Sequence, residues 1–367
     1  SIFIDLHWWR LSSHTTIRGL KIGLAEASAH RHLRAMRLRV LTEGDLRQAL
    51  DIEAAIGAVR AGFHALSRGG ADVPVRQQIQ GGSTALLSMP GWLGTPASLG
   101  AKLVTVAPDN RGRGLPAIHA LVTLMDPHTG EPRAVMDGEW LTALRTGAGT
   151  GVAADLLSPP EADVLGVVGA GPQARTQIEA VAAVRTLREI RIHSRSGTSA
   201  QALARALTAE GFEGVRAVPT SSEATRGARI VATATDSLNP VVDEAALESD
   251  VLICAVGGYR RDMQEVPTSV TAQARVVVDQ VGAALREAGD VWIPVERGLV
   301  AEADLVEIGE LVARAEEAGG ERDSPPWRGV TLFKSVGNAV QDLAVASLAL
   351  ERAETRGLGS LVEGSGD

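Results

Sequence analysis

A chain of 367 residues, 45% apolar and 22% charged, is globular and long enough for two domains, which excludes disorder and low complexity. A formal charge of −8 argues against a nucleic-acid partner, and no uncharged apolar run reaches the roughly 18 residues a membrane helix needs. One cysteine, Cys254, leaves no disulfide framework and no multi-thiolate metal site, so the expectation is a cytoplasmic, metal-free protein acting on a small molecule. 

Residues 1–35 differ in texture from the rest. They lack an initiating Met and hold four of the eight histidines, His7, His14, His30 and His32, without ligand spacing. They are expected to be a non-native or disordered extension, with the natural start near Met36. From there a short strand leads to Thr42, an N-cap with Asp45 three residues on, and Asp51 caps an amphipathic helix running to about Ser67. Alternating strands follow over 73–80, 84–90, 99–108 and 117–127, then a turn at Asp126–Gly130 and a strand over 131–136. This half reads as α+β with a largely antiparallel sheet.

A helix over 144–157 ends at Ser158-Pro159-Pro160. Beyond it, apolar strands (163–169, 189–193, 228–235, 250–258, 274–279) alternate with helices, the rhythm of a doubly wound parallel sheet of Rossmann type. A last helix, from Gly337 to about Glu354, is long enough to pack back on the first half. 

Gly169-Ala170-Gly171-Pro172-Gln173-Ala174 joins a buried strand to an amphipathic helix, the setting in which a glycine pattern signals a dinucleotide. Gly169 allows the turn, Gly171 lets amides approach a pyrophosphate, and Ala174 permits close helix–strand packing. At the tip of the second strand an acid would grip the ribose of NAD(H); here stand Ser194, Arg195 and Ser196, which suit a 2′-phosphate. NADP(H) is therefore favoured, with NAD(H) as the other possibility.

Several runs in order give the chain a resemblance to the ornithine cyclodeaminase/mu-crystallin family: Val75-Arg76, Gly100-Ala101-Lys102, Gly114-Leu115-Pro116, Leu141 to Ala148, the glycine loop, Thr233-Ala234-Thr235, Ala255-Val256-Gly257-Gly258, and Leu332 to Asp342. The resemblance implies a Rossmann domain over 151–317, a substrate-binding and dimerisation domain from 36–150 and 318–360, and a homodimer. It also implies that Arg76, Lys102 and Arg145 clamp the carboxylate of an amino or imino acid. Only three lysines, Lys21, Lys102 and Lys334, stand among 36 basic residues, so Lys102 is conspicuous. Thr146, Thr233, Ala234, Thr235, Val256, Gly257, Lys334, Ser335, Val336 and Gly337 join the loop residues as expected cofactor contacts. Similar cyclodeaminases carry an Asp directly after the glycine pair; here that place is Tyr259, the sole tyrosine. With Lys102 it is a candidate catalytic residue, and the exchange resembles the ketimine reductases. The expected reaction is reduction of a cyclic ketimine to proline or pipecolate. Alternatives are ornithine cyclodeaminase, an amino-acid dehydrogenase, or a non-catalytic NADPH-binding protein.

Overall fold

The computed structural model describes residues 37–319 and 329–364. The extension over 1–35 and the start at Met36 lie outside the described residues. The strand Arg37–Leu41 is followed by the helix Glu43–Ala49, where Thr42 and Asp45 close a full capping box. Asp51 accepts from Ala54 N at 2.7 Å and starts the helix Ile52–Ser67. Its buried face, Ala55, Ile56, Val59, Gly62 and Phe63, follows the helical repeat.

The first sheet runs, by neighbour, Ser360–Glu363, Arg37–Leu41, Pro132–Asp137, Ile118–Met125, Ala97–Val106, Thr84–Gly94 and Ala71–Asp72, with Gln77–Gly81 also pairing to Thr84–Gly94. All of its pairings are antiparallel except Arg37–Leu41 with Pro132–Asp137. The last strand pairs with the first, so both chain ends build this half. One face takes the helix Ala339–Arg356, which approaches closely because Gly91 and Gly100 leave room for Ala339 and Leu343. Ser98, Gly100 and Lys102 alternate onto that face, which buries a lysine against a helix.

The second sheet is wholly parallel: Val215–Ala217, Glu189–His193, Val164–Val168, Ile230–Thr233, Val251–Ala255, Val330–Lys334, Arg275–Val278 and Val306–Glu307. Val164–Val168 and Val251–Ala255 are buried throughout, as strands covered on both faces must be. From Val164–Val168 the chain winds first to one side and then to the other. The resulting switch point lies between Val164–Val168 and Ile230–Thr233, where sheets of this kind bind ligands. The late segment assigned from sequence to the other half gives its strand Val330–Lys334 to this parallel sheet, and only its helix and final strand to the first one.

Candidate active site

At the switch point a cleft of roughly 640 Å³ is lined by Gly169, Gly171, Pro172 and Gln173 on one side and by Ser194, Arg195, Ser196, Ala234 and Thr235 on others. Ile118 of the first sheet also reaches it. The backbone explains the glycines. Gly169 has φ of +123°, and a Cβ there would meet the Ala234 oxygen at 2.5 Å. A Cβ on Gly171 would point into open space, leaving a cradle beside the start of the helix Pro172–Val184. No side chain caps that helix, so its first amides are free for an anion. Ala174 is fully buried behind the loop. These residues fit a dinucleotide pyrophosphate.

At the second strand's tip, Ser194 and Ser196 hydroxyls each meet Ser199 Oγ, at 2.8 and 2.7 Å, and the Arg195 side chain is exposed. The strand's own acid, Glu189, is at its far end, where Arg191 and Arg216 hold its carboxyl down to about 2.

Deeper along the sheet edge, Glu265 joins two strand ends. Its Oε1 accepts from Thr235 N and Oγ1 (2.7 and 2.8 Å) and its Oε2 from Gly257 N (2.7 Å). Burial pushes this carboxyl above the ordinary range, the Asp290 charge adds to that, and the Lys334 ammonium and the Thr235 bonds oppose it. Asp290 Oδ1 accepts from Glu265 N and Val266 N, and its Oδ2 lies 3.1 Å from Lys334 Nζ without hydrogen-bond alignment, an ionic contact. Lys334 is therefore sealed beneath the strand ends and does not line the cleft. Ser335, Val336 and Gly337 are likewise turned away from it: Ser335 Oγ, Val336 N and Gly337 N donate to the buried Asp279 at 2.8, 3.1 and 2.8 Å. Thr146 is buried with its hydroxyl on Thr142 O at 2.7 Å, and Thr233 is a buried strand end. Val256 and Tyr259 are half-buried at the end of the Val251–Ala255 strand.

The three expected cations do gather. Arg76 donates to Glu287 through Nε (2.7 Å) and Nη2, and Nη2 also donates to Val336 O at 2.9 Å. Lys102 Nζ and Arg145 Nε both donate to Asp342 Oδ1 at 2.9 Å, and Arg145 Nη1 donates to Gln341 Oε1 at 3.0 Å. The Arg145 guanidinium lies against Gly337, where a Cβ would come within 2.2 Å of Nη1. Lys102 is fully buried; burial, Arg145 and Arg76 draw its pKa down to about 7 against the pull of Asp342. Three carboxylates surround these cations: Glu287, Asp342 and the buried Asp279, which interacts with the Arg145 charge from the Val336–Gly337 turn.

Sequence reasoning had no role for Asp342, Gln341, Glu287, Glu265 or Asp290, although Gln341 and Asp342 close the last motif run. A fully buried lysine implies a buried acid, and that was the available signal.

Residues 36–357 match the Ornithine cyclodeaminase/mu-crystallin family. A Delta(1)-pyrroline-2-carboxylate reductase of Bacillus cereus is 39% identical over 283 residues, 77% of this chain and 85% of the relative. The structure of the Thermococcus litoralis Delta(1)-pyrroline-2-carboxylate reductase with NADH and L-proline superposes with a TM-score of 0.82 at 34% identity, covering 88% of this chain and 100% of that one. An archaeal alanine dehydrogenase dimer with bound NAD gives 0.81 at 30% identity, covering 89% and 99%. Fold, motif order and similarity agree: the chain belongs to the ornithine cyclodeaminase/mu-crystallin family.

Proposed function

We propose that the protein reduces a cyclic ketimine carboxylate, Δ1-pyrroline-2-carboxylate or Δ1-piperideine-2-carboxylate, to the cyclic amino acid. The observation that carries this reading is the buried cluster of Arg76, Lys102 and Arg145, attached through Val336 and Gly337 to the parallel sheet that holds the cleft. Three cations gathered this closely suit a substrate carboxylate, which arginine forks orient while the lysine adds a point charge. When bound, a nicotinamide cofactor supplies a hydride to the electrophilic carbon of the imine. Gly169, Gly171 and the first amides of the Pro172–Val184 helix would hold its pyrophosphate, and Glu265 fixes the Thr235 and Gly257 backbone at the adjoining strand ends. A protonated imine is already electrophilic, so positioning and charge complementarity carry the rate, and Tyr259 at the strand end is not required as a base.

NADPH is the favoured donor, because Ser194, Arg195 and Ser196 stand where an acid would select NADH. The setting is cytoplasmic, where such cofactors are available, and among the described residues no helix is long and apolar enough to cross a membrane. The protein is a homodimer through the outward face of the first sheet, which exposes Leu86, Trp92, Leu99, Leu103 and Leu121.

The test follows loss of reduced-nicotinamide absorbance with each imine, using NADPH and NADH in parallel, beside pyruvate with ammonia and beside ornithine. Imine turnover well above both comparison reactions is expected. Reductive amination of pyruvate at the higher efficiency would make it an alanine dehydrogenase, and ammonia release from ornithine would make it a cyclodeaminase.

A further inference from the structure

Within the cation cluster one carboxylate oxygen is left without a donor. Asp342 gives Oδ1 to both Lys102 and Arg145, but its Oδ2, equally buried, has no hydrogen-bond partner. The residue is 1% exposed. A buried carboxylate oxygen without a protein donor is costly to leave, so Oδ2 is suited to accept from a ligand. What Oδ2 lacks is a donor. Beside it stand Arg76, Lys102 and Arg145, the cations that the clamp reading assigns to a substrate carboxylate.

A ligand that satisfies both must carry a carboxylate and an N–H close together. A protonated cyclic imino acid does, since its iminium N–H sits on the carbon that bears the carboxylate. A 2-oxo acid does not, because it would set a carbonyl oxygen against Oδ2, acceptor against acceptor. We propose that Asp342 is the specificity-determining residue for nitrogen: Oδ1 fixes Lys102 and Arg145, and Oδ2 accepts the N–H of the bound imino acid and of the amine product. The proposal rests on the carboxylate-clamp reading above. It extends that reading from charge to the identity of the second atom.

The Asp342 position is built for precision. Asn338 caps the helix Ala339–Arg356, and Gln341 Oε1 accepts from both Asn338 N (3.1 Å) and Arg145 Nη1 (3.0 Å). The first helical turn is thereby tied to one of the cations, and the carboxylate of Asp342 at that turn favours the positive end of the helix.

Two planar five-membered ligands of equal shape separate the possibilities. Pyrrole-2-carboxylate offers an N–H, whereas furan-2-carboxylate offers a ring oxygen at the same place. Binding to cofactor-loaded protein is measured by calorimetry. Unmodified protein is expected to bind the pyrrole at least about tenfold more tightly, the discrimination of one hydrogen bond to a buried charge. In Asp342→Asn the amide keeps its oxygen on Lys102 and Arg145 and turns its NH2 to the ligand. The preference should vanish or invert, with furan-2-carboxylate affinity held within about threefold. Equal affinities in the unmodified protein overturn the proposal without any variant, so a poorly folding Asp342→Asn leaves it testable. Equal loss of both ligands in Asp342→Asn also overturns it, reducing Asp342 to a support for the cations. If neither ligand binds, and Lys102→Ala leaves imine reduction intact, the carboxylate clamp itself fails and the proposal goes with it.

Discussion

Lys102 occupies a mid-strand position that faces a helix, and nothing about strand or helix formation calls for a charge there. The ammonium is buried with one carboxylate and two guanidinium groups nearby, and burial first, then Arg145 and Arg76, bring its pKa to about 7. Its folded pKa thus lies below its ordinary value of 10.5. Between these values the unfolded chain holds a proton that the folded one lacks, so this group's contribution to stability rises with pH from about 7 to about 10.5 and is constant below that window. Carboxylate binding runs the other way, because the anion needs the charged lysine. The Kd of a non-titrating carboxylate inhibitor should therefore rise as pH climbs through about 7, with proton uptake on binding above it, and Lys102→Arg should flatten the profile. A flat profile in the unmodified protein would show that the ammonium plays no part in capture. Arg195 supports a separate prediction. Its side chain is exposed at the end of the cleft proposed for the ribose, so Arg195→Ala should weaken NADPH by about tenfold or more and leave NADH nearly unchanged, read from the two KM values. Equal losses for both cofactors would remove it from the 2′-phosphate.

The elements were unevenly legible in the sequence. Thr42 with Asp45, and Asp51 before its amphipathic helix, are local signals, and both helices start where those residues stand. The glycine loop was legible for the same reason: strand, turn and helix are contiguous. Val330–Lys334 was not. It inserts between Val251–Ala255 and Arg275–Val278, and no short-range pattern encodes which neighbours a parallel strand finds. The Asp342 pairings were hidden similarly, with Lys102 lying 240 and Arg145 197 positions away. The turn after this strand carries its own prediction. Gly337 has φ of +74°, and a Cβ there would overlap the Arg145 guanidinium. Gly337→Ala should cost about 1 kcal/mol for the left-handed backbone, seen as a lower Tm, and should displace Arg145. The KM for imine should rise at least about tenfold, with NADPH affinity little changed, because the turn does not line the cleft. An unchanged KM would detach Arg145 from substrate capture.

At the scale of the whole molecule, the first sheet has two apolar faces and only one helix-covered side. The inner face buries Met89, Leu93, Val122 and Leu124 beneath the Ala339–Arg356 helix and its neighbours. The outer face pairs Trp92 with Leu99 and Leu103 with Leu121 across adjacent strands, and these side chains remain 40, 37, 39 and 50% exposed. A monomer has no use for such cross-strand pairs turned to water, since contiguous apolar patches of this kind mark an interface. Packing one outer face on its twofold copy buries both with a single self-complementary surface. Lys102 lies beside Leu103 on the same strand and faces inward, so on the proposed reading one strand carries both the interface and a substrate cation. The dimer should then brace the clamp from behind. In an isologous interface, Leu121→Glu introduces a desolvated carboxylate from each subunit and removes an apolar contact from each. The dimer Kd should rise by about 100-fold or more, with monomer visible by light scattering at micromolar concentration. NADPH binding should persist in that monomer, because the cleft is built by the parallel sheet and its loops, whereas imine KM should rise as the strand loses its backing. A Leu121→Glu protein that stays dimeric with unaltered Kd would place the interface on another face.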